Sequence, residues 1–218
     1  MKTNITPASI PAHGEHPDEI MRRIKSMKEK DIAWEQGRAW SLVYFAGEEH
    51  DQLLKAASNE MFSTNGLNPL AFKSLRKMES EVVQMTSQML HGNIQSVGTM
   101  TSGGTESILL ALFTYRQMAQ KLRPQITKTE VVVPVTIHPA FNKGAMLFGL
   151  QIRKAPVDSN GCANPATLEA LINENTILIA ASAPSYPNGI LDPIESIAAI
   201  ALKYKLPMHV DACIGGFM

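Results

Sequence analysis

Four short stretches of the chain combine residue types that can bind an anion, stack on an aromatic ring or hold a cation. They are the sequences Thr101–Ser107, Val133–Lys143, Ser182–Pro193 and Met208–Gly216. Each of them follows or ends a predicted strand. Because ligands in open parallel sheets bind at the carboxyl ends of the strands, we expect the four stretches to lie at one edge of a sheet.

The first stretch, TSGGTES, predicts an anion site at the start of a helix. Gly103 and Gly104 let the backbone approach a ligand closely, and Thr105 adds a hydroxyl group. Backbone N–H groups at a helix start, together with the helix dipole, favour a negative charge. No G-K-[ST] sequence follows, so the stretch is not a P-loop. A tight turn capped by Ser or Thr explains the same residues without any ligand.

Two titratable residues, His138 and Asp211, lie at the carboxyl ends of two other predicted strands. His138 can stack on a cofactor ring or move a proton, although a structural histidine in a loop explains a single His equally well. Asp211 ends an apolar strand, where a carboxylate is costly unless it meets a cation or strong donors. A protonated pyridine nitrogen is such a partner, and keeping that nitrogen protonated makes the ring a better electron sink. The alternative is that Asp211 only caps the glycine-containing turn that follows.

The remaining stretch is a long loop rich in Pro, Gly and Asn. Its first residue, Ser182, can donate a hydrogen bond to a cofactor oxygen. An ordinary loop before a helix capped by Asp192 is the competing interpretation.

The elements that must position these residues alternate in type. Helical spacing predicts helices over residues 18–30, 48–61 and 72–90, and residues 1–17 are predicted to be a flexible arm. After residue 93, short apolar strands alternate with helices, which predicts an α/β fold with a mostly parallel sheet covered on both faces. The predicted strands are residues 96–101, 130–135, 151–157, 176–181 and 207–210. We therefore divide the chain into the arm, a helical segment over residues 18–92 and an α/β domain that begins at residue 93.

Composition narrows the functional classes. Lys plus Arg and Asp plus Glu are both 20, so the formal net charge is zero and nothing favours nucleic acid as a partner. No apolar run is long enough to cross a membrane, and the N-terminus lacks the apolar core of a secretory signal. Neither of the two cysteines lies in a C-x-x-C pair, so no metal site is predicted. A soluble cytoplasmic protein is the expectation, while export stays open.

Taken in order, the four stretches resemble a known family. The motifs T-S-G-G-T-E-S, T-x-H-P-A-F, S-A-P-x-x-P-x-G-x-x-D-P-I and H-V-D-A-C-x-G-G-F are similar to those of the sphingosine-1-phosphate lyases of bacterial type. These enzymes belong to the decarboxylase-like group of fold-type-I pyridoxal-phosphate-dependent enzymes. The segment Leu67–Glu79 also resembles the helix that leads into their cofactor domain. The similarity runs from about Ile32 to Met218.

The resemblance implies a cofactor, pyridoxal 5'-phosphate, and a role for each matching residue. Residues 93–218 would be the first part of the cofactor-binding large domain, and two subunits would share their active sites in a homodimer. The implied cofactor-binding residues are Gly103, Gly104 and Thr105 at the phosphate, His138 stacked on the ring, Asp211 at the ring nitrogen, Cys213 near the opposite ring face and Ser182 at the polar edge. Tyr44 and Asn68 would bind the substrate, and Tyr44, His138 and Lys143 are the candidate catalytic residues.

Two departures from the family stand out. At Asn68 many relatives have a histidine that helps to hold the substrate phosphate, and Asn cannot carry its charge. The lysine that carries the cofactor covalently lies beyond the H-V-D-A-C motif, and Lys143, Lys203 and Lys205 do not match it. We therefore expect this chain alone to be inactive and poorly folded.

The implied reaction is cleavage of a phosphorylated long-chain base to a fatty aldehyde and phosphoethanolamine. Three alternatives remain at this point. They are an amino-acid decarboxylase of the same fold, a truncated pseudoenzyme that pairs with a complete lyase, and a general nucleotide- or phosphate-binding α/β domain. The last of these does not explain Asp211 or His138.

Overall fold

The computed structural model of the protein describes residues 9–39, 42–186 and 188–217. The chain divides into two compact units, Met1–Ser63 and Thr64–Met218. Residues 1–8 of the predicted arm lie outside the described residues, and the predicted domain boundaries at residues 17 and 92 stay predictions.

The first unit contains two helices and a short turn of 3-10 helix. They are α1 (Pro17–Lys28), the turn (Trp34–Gln36) and α2 (Glu48–Met61). The start of α1 is fixed by Pro17 and by the His16 side chain, which accepts a hydrogen bond from the N–H of Asp18 at 3.3 Å. Acidic residues in its first turn and basic residues in its last turn complement the helix dipole. Both helices confirm the predicted ones, and neither contains a buried residue.

The second unit begins with a long amphipathic helix, α3 (Lys73–Met89). Its apolar face is exposed, at 48% for Met78, 38% for Val82, 60% for Met85 and 44% for Met89. No residue of α3 is buried. The helix therefore presents an apolar face that the described part of the chain does not cover.

A parallel sheet of four strands forms the centre of the second unit. The strands are β1 (Glu130–Pro134), β2 (Gln151–Ala155), β3 (Thr176–Ser182) and β4 (Met208–Asp211), in the order β2-β1-β3-β4. Every residue of β1 and β3 is buried, as expected of continuous Val, Ile and Leu runs in central parallel strands. All carboxyl ends consequently lie at the same edge of the sheet.

Four helices cover the two faces of the sheet and confirm the predicted α/β fold. They are α4 (Gly104–Leu122), α5 (Ala140–Phe148), α6 (Pro165–Glu169) and α7 (Ile194–Lys203). Successive residues of a strand point to opposite faces. Accordingly, Val131 packs in the core beside Leu112 and Phe141, whereas Val132 packs in the other core beside Leu168 and Ile197.

The predicted strand over residues 96–101 is wrong for the described residues. Ser96–Thr101 forms no ladder there, and Val97 is 94% exposed. A strand needs a neighbour for its N–H and C=O groups, and no described segment pairs with this one. Within the described residues, no helix is both long and apolar enough to cross a membrane.

Candidate active site

The helix start that follows Gly103 offers an anion site. Gly103 has a φ of 151°, a conformation that side chains disfavour, and it stands at the N-cap of α4. The first hydrogen bond of the helix runs from the N–H of Ser107 to the carbonyl oxygen of Gly103, at 3.1 Å. The N–H groups of Gly104, Thr105 and Glu106 therefore have no hydrogen-bond acceptor within the helix. They point out of the helix start, where the helix dipole is positive.

Side chains around this helix start hold it in place. The hydroxyl groups of Thr101 and Ser107 are 2.7 Å apart, and the N–H of Ser102 donates to the Glu106 carboxylate at 2.6 Å. Hydrogen bonds from the Ser102 side chain and backbone lower the pKa of Glu106, so Glu106 is ionised at neutral pH. Sequence reasoning missed Glu106, although the spacing of an acidic residue within the first helical turn is a recognisable capping signal.

The end of β4 contacts the start of α4 through Cys213. A Cβ atom added to Gly104 would lie 2.7 Å from the sulfur of Cys213, so the two loops approach closely only because residue 104 is glycine. Asp211 is 9% exposed, and its Oδ1 accepts a hydrogen bond from the N–H of Cys213 at 3.2 Å. A nearly buried carboxylate thus lies two residues from Cys213, which contacts the anion site, and this carboxylate can also accept a hydrogen bond from a cation.

The thiol of Cys213 is a weak acid in this environment. Loss of solvent around the sulfur, followed by the hydrogen bond and charge of Asp211, raises the pKa of Cys213 to about 11. The residue still reaches solvent. Cys213 is therefore a neutral thiol at physiological pH, suited to packing against a ligand rather than to acting as a nucleophile.

Ser182 lies beside Asp211 in the sheet. The two residues are directly opposite in the register of β3 and β4, and Ser182 is 2% exposed. The loop after β3 also packs on the turn after β4, because a Cβ on Gly215 would lie 2.4 Å from the carbonyl oxygen of Ala183. The structure therefore brings together Gly104, Cys213, Asp211 and Ser182 of the predicted residues.

His138 occupies the same edge of the sheet, after β1. Its Nδ1 accepts a hydrogen bond from the N–H of Ala140 at 3.1 Å, which fixes the ring and leaves Nε2 as the nitrogen for other contacts. The helix that follows is held against α4, since a Cβ on Gly144 would lie 2.5 Å from Leu112. Lys143, on the exposed side of that helix, shares the edge without a contact to the other candidates among the described residues.

Two predicted substrate-binding residues are not brought to this edge by any described contact. Tyr44 belongs to the first unit and is 63% exposed. Asn68 uses its Oδ1 to accept hydrogen bonds from the N–H groups of Leu70 at 3.0 Å and Ala71 at 3.3 Å, so it shapes its own turn. The substrate-binding roles of both residues stay predictions.

The donor set at the edge fits pyridoxal phosphate. Three helix N–H groups that have no acceptor among the described residues suit its phosphate, a nearly buried carboxylate suits a protonated ring nitrogen, and Gly103 leaves room for close approach. Two buried hydroxyl oxygens, those of Thr136 and Ser185, find no hydrogen-bond partner among the described residues. Both lie in loops that leave the same edge of the sheet, after β1 and β3.

Comparison with known proteins places the chain among enzymes of this kind. Residues 2–218 match the family model of the pyridoxal-dependent decarboxylase conserved domain. The chain belongs to that family. The predictions of pyridoxal phosphate as the cofactor and of the fold-type-I decarboxylase-like fold are thereby confirmed.

Within the family, the chain is similar to sphingosine-1-phosphate lyases, which confirms the predicted resemblance. It is 40% identical over 210 residues to sphingosine-1-phosphate lyase 1 of Rattus norvegicus, which covers 96% of this chain and 37% of the rat protein. It is 38% identical to a probable sphingosine-1-phosphate lyase of Legionella pneumophila over 78% of this chain and 28% of that one.

Solved structures agree. The sphingosine-1-phosphate lyase of Burkholderia pseudomallei superposes with a TM-score of 0.89 at 33% identity, over 98% of this chain and 51% of that one. A glutamate decarboxylase of Lactobacillus brevis superposes with a TM-score of 0.80 at 19% identity, which shows the shared fold alone. The chain thus spans about half or less of the length of these relatives.

Proposed function

We propose that the protein supplies the cofactor-binding half of a pyridoxal-phosphate-dependent carbon–carbon lyase. The substrate would be a phosphorylated long-chain base such as sphingosine 1-phosphate, and the products a fatty aldehyde and phosphoethanolamine. The observation that carries the proposal is the meeting of the α4 start, Cys213 and Asp211 at one point of the sheet edge, in a chain similar to sphingosine-1-phosphate lyases over almost its whole length.

Each residue at the edge has one task in this proposal. The N–H groups of Gly104 and Thr105 bind the cofactor phosphate, and Asp211 holds the proton on the ring nitrogen. His138 stacks on the ring, and Ser182 borders its polar edge. The bound cofactor supplies the electron sink for the electron pair left on the amine-bearing carbon.

The reaction balances with one bond broken and one proton moved. The bond between the amine-bearing carbon and the neighbouring hydroxyl-bearing carbon breaks. The hydroxyl group loses its proton as that carbon becomes the aldehyde, and a proton adds to the amine-bearing carbon to give phosphoethanolamine. Tyr44 is the proposed group at the substrate's polar end, Lys143 is a proposed catalytic helper near the site, and Asn68 is the proposed contact to the substrate phosphate.

We propose that the covalent anchor of the cofactor is none of Lys143, Lys203 and Lys205. Lys203 binds the Glu169 carboxylate at 2.6 Å, and this hydrogen bond raises the pKa of the lysine, which keeps the amine protonated. Lys205 precedes β4 and so lies towards the amino edge of the sheet, opposite to Asp211. We propose that the 218-residue chain binds the cofactor non-covalently and lacks lyase activity until a lysine-bearing half is supplied.

A second copy of the chain is the proposed partner for the exposed apolar face of α3. Met78, Val82 and Met85 lie on that face, and a groove of about 880 Å³ runs from α3 to Gly104 and Cys213. Stable homodimer interfaces are rich in such surfaces. Replacing Met85 with Glu is expected to shift the protein from dimer to monomer in light scattering. A variant that remains dimeric would show that α3 is not part of the interface.

Product analysis tests the proposed reaction. The chain is combined with the lysine-bearing half of a bacterial sphingosine-1-phosphate lyase, pyridoxal phosphate and sphingosine 1-phosphate. Equal amounts of fatty aldehyde and phosphoethanolamine support the lyase. Carbon dioxide release from an amino acid, without aldehyde from the lipid, would instead establish an amino-acid decarboxylase. The matched control is the same mixture with the partner's lysine replaced by alanine.

A further inference from the structure

Asp192 carries a carboxylate buried in the fold, outside the predicted site. It is 2% exposed. Its Oδ2 accepts a hydrogen bond from the N–H of Ser182 at 2.8 Å, and its Oδ1 accepts one from the N–H of Ala163 at 3.1 Å. A buried carboxylate is tolerated only when such donors compensate for the lost water. The Asp192 carboxylate therefore accepts hydrogen bonds from two backbone N–H groups in distant parts of the chain.

The sequence-based interpretation of Asp192 as the cap of the next helix is wrong. The N-cap of α7 is Pro193, without a side-chain cap hydrogen bond. The Asp192 carboxylate turns away from this helix towards the end of β3. The position of Asp192 just before α7 therefore does not determine which groups its side chain binds.

The bonds between Asp192 and Ser182 run in both directions. The N–H of Asp192 donates to the carbonyl oxygen of Ser182 at 3.1 Å, while the carboxylate accepts from the Ser182 N–H. The described residues between them, 183–186 and 188–191, thereby belong to a loop whose two ends meet at the Ser182–Asp192 pair. Inside the loop, the N–H of Ser185 donates to the carbonyl oxygen of Ile190 at 2.9 Å.

The base of this loop touches the proposed cofactor site. Ser182 is opposite Asp211 in the sheet, and Ala183 contacts the backbone at Gly215 in the turn after β4. A displacement of the loop base would therefore move both Ser182, which lies beside Asp211 in the sheet, and the turn that follows Asp211 in the chain. Asp192 itself contacts neither Asp211 nor the α4 start in the described structure.

We infer that Asp192 is a positioning residue, whose carboxylate locks the loop between Ser182 and Asp192 against the turn after β4 and so holds Asp211 in place for the cofactor ring. This inference rests on the proposed function, because it assumes that the cofactor binds at this edge. Ser182 links Asp192 to the site, because its N–H binds the Asp192 carboxylate and it lies opposite Asp211 in the sheet. Loss of the lock lowers cofactor affinity without removing any group that touches the cofactor.

The test replaces Asp192 with Asn and measures the affinity of the 218-residue chain for pyridoxamine 5'-phosphate, which needs no lysine. The Asn amide has one acceptor oxygen, and its NH₂ group faces the second N–H donor. Because the unsatisfied N–H disfavours the locked arrangement that the ligand needs, the dissociation constant is expected to rise by about fivefold or more. Asp158→Asn is the matched control, since exposed Asp158 also accepts two backbone hydrogen bonds, from Asn160 and Cys162.

Each result decides a different claim. Weaker binding by Asp192→Asn, with Asp158→Asn within about twofold of the natural chain, supports the inference. Equal binding by both variants overturns it and leaves the proposed function intact. If the natural chain is folded by circular dichroism and fails to bind pyridoxamine 5'-phosphate, the proposed function fails and the inference falls with it.

A measurement on the unmodified chain covers the case in which Asp192→Asn does not fold. Coupling is reciprocal, so a lock that favours the ligand must itself be stabilised by the ligand. Pyridoxamine 5'-phosphate is expected to slow hydrogen exchange at the Ala163 amide, which Asp192 binds, but not at the Cys162 amide, which Asp158 binds. Unchanged exchange at Ala163 in the ligand-saturated chain would overturn the inference.

Discussion

Replacing Asp211 with Asn tests the pairing of this residue with the cofactor ring. Asn has the same shape, and its oxygen can still accept the hydrogen bond from the Cys213 N–H, which spans 3.2 Å. The fold is therefore expected to survive while the negative charge is lost. Only the charge-dependent part of ligand binding should change.

The magnitude follows from the burial of Asp211. Exposed ion pairs contribute about 0–1 kcal/mol, but this carboxylate is 9% exposed. Hydrogen bonds to charged groups contribute about 1.5–3 kcal/mol, which corresponds to roughly a 10- to 150-fold change in affinity. We expect the dissociation constant for pyridoxamine 5'-phosphate to rise by that factor in the Asp211→Asn variant.

Isothermal titration calorimetry measures this effect, with Asp158→Asn as the control for a lost carboxylate elsewhere. Pyridoxamine without its phosphate serves as a second ligand, which should bind both proteins more weakly than the phosphorylated form. An affinity of Asp211→Asn within about twofold of the natural chain would refute the pairing.

Three further predictions concern the surroundings of the site. Gly215→Ala would place a Cβ 2.4 Å from the carbonyl oxygen of Ala183, and overpacking of about 1–3 kcal/mol should lower the calorimetric unfolding midpoint by about 2–12 °C. Because the pKa of Cys213 is about 11, its alkylation by iodoacetamide should be slow near neutral pH and should keep rising up to that value instead of levelling off near 9.0, and Asp211→Asn should move the plateau to lower pH by removing a charge that disfavours the thiolate. Burial lowers the pKa of His209 below its ordinary value of 6.5, so the unfolded chain takes up the proton first. The free energy of unfolding should therefore fall as the pH drops from about 7 to 5, and less steeply in His209→Gln.

Each of these predictions has a control and a contrary outcome. Gly66→Ala adds a Cβ in open space and should leave the midpoint unchanged, whereas a stable Gly215→Ala would show that the two loops separate freely. Cys162→Ser makes Cys213 the only thiol, and fast alkylation near neutral pH would contradict its raised pKa. Equal pH slopes in denaturant titrations of the natural chain and His209→Gln would show that the His209 ring is as well hydrated as in the unfolded chain.

The local parts of the fold were predictable from the sequence. The apolar runs at β1 and β3 have no competing interpretation, and the spacing of Met78, Val82 and Met85 marks one face of a helix. The glycine pair before α4 marks a backbone that approaches something closely. Each of these signals depends on residues that are neighbours in the chain.

The contacts between distant segments were not predictable from composition or spacing. A carboxylate before a helix predicts a cap, yet Asp192 binds Ser182 and Ala163, which lie 10 and 29 residues away. The glycine at residue 215 reads as part of a turn, and only the fold shows that the backbone of Ala183 fills the space of its side chain. The segment 96–101 has a strand-like sequence, but a strand also needs a neighbour, which the sequence alone does not specify.

Mapping the amide resonances of the isotope-labelled chain during titration with pyridoxamine 5'-phosphate tests the location of the cofactor site most directly. The account predicts that the largest shifts occur at the N–H groups of Gly104, Thr105 and Glu106 and at Cys213, with smaller shifts in the loop that begins at Ser182. Shifts confined to other parts of the second unit, with the start of α4 unaffected at saturation, would contradict the account.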